Sequence, residues 1–140
     1  MKMKYNVTRK IPPIYFEIRK QFKDKSASWD GGVVIAYDGA IYCKTHIPPD
    51  IHEHEAVHLD RQKEIGAKEW WDKYLSDKKF RFVEEVLAYQ AQAQFIKNTD
   101  IYNAKEKERI LMKCAKDLSG PMYGKICTLD KAMDLLGIVV

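Results

Sequence analysis

The stretch "IPPDIHEHEAVHLDRQ", residues 47–62, carries three of the chain's four histidines directly after a proline break. Asp50, followed three residues later by Glu53, makes a capping-box pattern, which predicts a helix beginning at about residue 50. On that helix His54 and His58 are four apart, so their imidazoles lie one above the other, within reach of one metal ion. Glu55 projects beside the pair, where a carboxylate can take a proton from an activated water. H-E-x-x-H on a helix is the arrangement of a zinc hydrolase: zinc brings the pKa of water down to about 7 and its charge stabilises an oxyanion. His52, two residues before His54, points to another side of the helix and reads as exposed or as a rim residue. His46, in the preceding connection, reads as a surface loop histidine.

Upstream, "GGVVIAYDGAIYCKTH", residues 31–46, holds two β-rich runs, Val33 to Tyr37 and Ala40 to Lys44, around Asp38-Gly39. That dipeptide suits a type I′ turn, so a hairpin is expected, its second strand at a sheet edge able to pair with an extended peptide. "IYFEIRKQF" fits either a short helix or a strand. Downstream, helices are expected over Ala67–Leu75, Phe80 to about Asn98, Ala104–Leu118 and Thr128–Leu136, the last capped by Thr128. Trp70 and Tyr74, at i and i+4, are explained by one helix face packed on a core. The sum is an α+β arrangement in one domain spanning residues 1–140.

A catalytic zinc site needs a third protein ligand. The extended pattern H-E-x-x-H-x-x-G-x-x-H fails, because Arg61 and Glu64 stand at the glycine and third histidine positions. "RFVEEVLAYQAQ", residues 81–92, offers Glu84 and Glu85, with Ala88 and Ala91 small enough for close helix approach. Adjacent helical carboxylates point about 100° apart, so one of the two faces a metal. Helical periodicity brings Glu84 closer to the apolar side formed by Phe80, Leu87, Ala91 and Phe95, and both glutamates remain open on the residues alone. Asp50, Asp60 or Asp77 could accept the second N–H of a ligating histidine. Gln62 and Arg81 read as ties between helices. Tyr89, beside alanines, reads as half-buried packing, with an oxyanion donor as the sharper alternative.

H-E-x-x-H followed tens of residues later by a glutamate on a second helix resembles the gluzincin pattern of zincin-like metallopeptidases. "HEAVHLDRQ", "WWDKYL" and the R-x-x-x-E-x-x-A-Y element of Arg81, Glu85, Ala88 and Tyr89 are similar to small single-domain zincin-like proteins of bacteria and phages, over roughly residues 33–94. The resemblance implies a minimal zincin-like fold, a small sheet or hairpin packed on the H-E-x-x-H helix. It implies Zn2+ held by His54, His58 and Glu85, Glu55 as general base, and a peptide or protein substrate.

Composition leaves other classes weakly supported. The net charge of +4 comes from 24 basic and 20 acidic residues, spread along the chain rather than gathered into a patch, so nucleic acid is not an expected partner. Cys43, Cys114 and Cys127 are odd in number and lack C-x-x-C spacing, which argues against a disulfide framework or a cysteine zinc site. No signal-peptide core and no apolar run of membrane-spanning length is present, so a cytoplasmic protein without a membrane partner is expected. A catalytically inactive zincin-like binding or structural protein with a bound zinc is the competing reading.

Overall fold

A computed structural model describes residues 3–139. Its architecture is α+β: six helices and a small mixed sheet. The sheet contains β1 (Asn6–Thr8), β2 (Ile35–Tyr37) and β3 (Ala40–Tyr42). Asp38 and Gly39 both have positive φ, 43° and 87°, the conformation a type I′ turn demands, and they join β2 and β3 as an antiparallel hairpin. β1 pairs parallel with β3, so the strand order is β1-β3-β2. The second hairpin strand is therefore central, and the expectation that it lies at an edge is corrected. Beside the hairpin, β2 is the outer strand, and its Ala36 carbonyl accepts from Gln62 Nε2 at 2.9 Å and Trp71 Nε1 at 3.0 Å. Gln62 Oε1 also accepts from the Asp38 N–H. Two helices thus occupy part of the edge that a peptide would otherwise use.

"IYFEIRKQF" resolves as helix α1 (Tyr15–Gln21). The histidine helix α2 runs Pro49–Ile65, with Pro48 as its N-cap and Pro49 in its first turn, where a missing N–H costs nothing. The expected Asp50–Glu53 capping box does not form, because Asp50 turns inward. Gly66, at φ 101°, ends α2 and starts α3 (Ala67–Ser76), a backbone state that an L side chain would strain. Asp77 accepts from the backbone N–H groups of Lys79 and Phe80 to cap α4 (Lys78–Asn98), the longest helix. Asn103 and Glu106 form the capping box of α5 (Ala104–Leu118), and Thr128 caps α6 (Leu129–Leu135) as expected.

Three apolar clusters hold these elements. Ile96, Ala115, Leu118 and Leu136 join α4, α5 and α6. Tyr5, Ile41, Ile47 and Leu59 join the sheet to α2. Ile18, Ile35, Trp70, Trp71 and Tyr74 join α1, the sheet and α3. The face of α4 turned to α2 differs from the expected apolar stripe. Val83 and Leu87 are exposed, while Arg81, Glu84, Glu85 and Gln92 are buried around Ala88. No helix of the described residues is long and apolar enough to cross a membrane.

Candidate metal centre

α2 brings His54, Glu55 and His58 to one interface, and α4 brings Glu85 to the same place. Glu85 Oε1 lies 3.0 Å from His54 Nε2 and 3.3 Å from His58 Nε2. All three residues are buried, with one potential ligand atom each inside a mutual separation of 4.8 Å. Although those approaches are short, Glu85 Oε1 accepts no hydrogen bond of acceptable geometry among the described residues. A buried carboxylate oxygen in that position is costly unless a cation meets it, and either a protonated imidazole or a metal ion would do so. Two imidazole nitrogens and one carboxylate oxygen form a donor set able to hold a metal ion. Tyr74 on α3 donates its hydroxyl to the other oxygen, Glu85 Oε2, at 2.5 Å, which anchors the carboxylate and leaves Oε1 turned to the histidines.

Glu84 is elsewhere. Its two oxygens accept from Arg61 Nε and Nη2, both at 3.0 Å, and Oε1 also accepts from Trp70 Nε1 at 2.8 Å. A carboxylate so paired is a structural tie between α2, α3 and α4, leaving Glu85 as the glutamate that faces the histidines.

The cluster concentrates charge. Burial alone would lower the His54 pKa, but the Glu85 contact and the Glu55 charge outweigh it and raise it to about 9. Burial pushes Glu85 the other way, yet His58 and His54 hold it well below the usual carboxylate range. Glu55 is raised, chiefly by burial, and its Oε2 stands 3.7 Å from His54 Nε2. The site therefore stabilises a positive charge between α2 and α4.

No family model, curated protein or solved structure matches the chain.

The polar network extends past these three side chains. His54 Nδ1–H donates to Gln92 Oε1 at 2.9 Å, Gln92 Nε2 donates to Asp50 Oδ2 at 2.8 Å, and the Tyr102 hydroxyl donates to Asp50 Oδ1 at 2.6 Å. Of the three aspartates considered for the histidine N–H, Asp50 is the one reached, and only through an amide. Asp60 instead accepts from the Tyr5 hydroxyl and Lys4, and Asp77 caps α4. His52 is buried rather than exposed, its Nε2 3.2 Å from the backbone nitrogen of Tyr5 and 3.3 Å from its carbonyl oxygen, so it fastens the strand β1 segment to α2. His46 is exposed in its loop.

Tyr89 is fully packed, its ring edge-on to His54 with centroids 4.4 Å apart. Its hydroxyl lies 3.5 Å from that of Tyr123. Tyr123, in the 3-10 turn Pro121–Tyr123, was not legible as a site residue. Its only sequence signal is the Ser119-Gly120-Pro121 break that ends α5. Burial, then the Glu85 charge, raises the Tyr123 hydroxyl well above the ordinary phenol range, so it stays a donor. A cavity of about 90 Å³ is bordered by His54, Glu55, His58, Glu85 and Tyr123, with Phe22 and Val34 among its apolar walls. Arg81 fixes that wall: it donates to the carbonyls of Tyr74, Leu75 and Met122 and lies 4.8 Å over the Phe22 ring.

Proposed function

We propose that this chain is a zinc-dependent metallopeptidase of the gluzincin type, with a minimal zincin-like fold. The observation that carries the reading is the convergence of His54 Nε2, His58 Nε2 and Glu85 Oε1 in a buried site beside Glu55. His54, His58 and Glu85 would hold the ion. Zinc there would lower the pKa of water to about 7 and place positive charge opposite a developing oxyanion. Glu55, with a pKa raised by burial, takes the proton of the attacking water and passes it to the leaving nitrogen. Tyr123, its hydroxyl kept protonated at the cavity wall, is the donor available to the substrate carbonyl. Apolar walls favour a peptide with apolar side chains beside the cleaved bond.

Replacing Glu55 tests the mechanism. Glu55→Gln should retain zinc and lose about 10²- to 10⁴-fold in hydrolysis of a peptide library. Wild-type turnover in that variant would contradict the role.

One observation favours a second reading, a zinc-holding protein without hydrolysis. The cavity is small, about 90 Å³, and the Ala36 carbonyl on the outer strand is already engaged. Exchangeability separates the two. A catalytic zinc with three protein ligands is stripped by chelators more readily than a closed four-ligand structural site.

A further inference from the structure

We propose that Asp50, acting through Gln92, is a positioning residue that sets which ring nitrogen of His54 is free to bind the metal. The inference rests on the metal-site reading above. A carboxylate can only accept hydrogen bonds. Both oxygens of the buried Asp50 face donors, Gln92 Nε2 and the Tyr102 hydroxyl. Gln92 must therefore turn its NH2 toward Asp50, which leaves its carbonyl oxygen toward His54 Nδ1 at 2.9 Å. An acceptor there requires the proton on Nδ1. The lone pair of the neutral ring then sits on Nε2, the nitrogen that faces Glu85.

Without the polarity of Asp50, the two ends of the Gln92 amide are nearly the same shape. A flipped amide would present NH2 to Nδ1, move the ring proton to Nε2 and block the ligand position. His58 has no such control, since its Nδ1 has no hydrogen-bond partner among the described residues. His54 is thus preset for metal, and His58 adapts. The alternative is that Tyr102, Asp50 and Gln92 merely fasten α2, α4 and the chain leading into α5.

An isosteric series separates polarity from glue. Zinc affinity is measured by competition with a chromophoric chelator, alongside thermal unfolding of the zinc-free protein. Asp50→Asn keeps the shape and loses the enforced polarity, so zinc affinity should fall about tenfold or more. Combining Asp50→Asn with Gln92→Glu makes position 92 acceptor-only toward His54, while the new amide at position 50 donates to it and still accepts from Tyr102. Affinity should then return close to wild type. Unchanged affinity in Asp50→Asn, or a double variant as weak as the single one, would overturn the proposal.

A second readout does not need zinc. In wild-type protein labelled with 15N-histidine, at a pH high enough for the ring to be neutral, the His54 proton should be on Nδ1. A proton on Nε2 would overturn the proposal even if Asp50→Asn fails to fold. A wild-type chain that takes up no zinc would overturn the metallopeptidase reading, and the ring spectrum would still decide the tautomer.

Discussion

The two long faces of α4 do opposite things. Toward α5 and α6 it presents Ala93 and Ile96 to Leu118, Ala132 and Leu136, an apolar core of the ordinary kind. Toward α2 and α3 it buries Glu84 against Arg61 and Trp70, Glu85 against His54 and His58, and Gln92 against His54 and Asp50. Burying charged and polar groups costs free energy unless each finds a partner. On this face nearly all do; among the described residues Glu85 Oε1, which faces His54 and His58, and His58 Nδ1 are the atoms without a well-formed hydrogen bond. One face is an apolar core, and the other gathers buried polar groups around His54, His58 and Glu85.

The contrast can be broken at several points. Leu118→Ala, at a fully buried position of the apolar face, should cost about 2–5 kcal/mol in denaturant unfolding. Zinc affinity of the folded fraction should not change; a large change would mean that the two faces are coupled. Glu84→Ala, on the polar face, leaves the Trp70 N–H without its acceptor and should cost about 1–3 kcal/mol, again with zinc retained. Loss of zinc there would erase the distinction between the two glutamates. At the small end, Lys113→Ala removes an exposed i,i+4 pair with Asp117 on α5. It should shift stability by no more than about 0.5 kcal/mol.

What the sequence made legible was local. The Asp38-Gly39 hairpin, the Thr128 cap and the i,i+4 histidines each depend on residues within one turn or one element. What it concealed depended on distance along the chain. β1 has three residues and finds β3 as a parallel neighbour far away, and α1 is only seven residues long. Asp50 looked like a cap because its partners, Gln92 and Tyr102, lie 42 and 52 residues onward. His52 looked exposed because Tyr5 lies 47 residues earlier. On α4, hydrophobic periodicity selected Val83 and Leu87, which are exposed, because the buried face had been given over to polar groups. A functional face is where a binary apolar pattern should fail. The E-x-x-A-Y register implied Glu85 rather than Glu84; in the structure Glu85 faces the histidines, while Arg61 and Trp70 hold Glu84.

The most direct test is elemental mass spectrometry of the chain purified without added metal, for wild type, Glu85→Ala and Glu84→Ala. The account predicts about one zinc per chain in wild type and in Glu84→Ala, and essentially none in Glu85→Ala. A wild-type chain that holds no zinc even after reconstitution, or one that loses zinc with Glu84 and keeps it without Glu85, would contradict it.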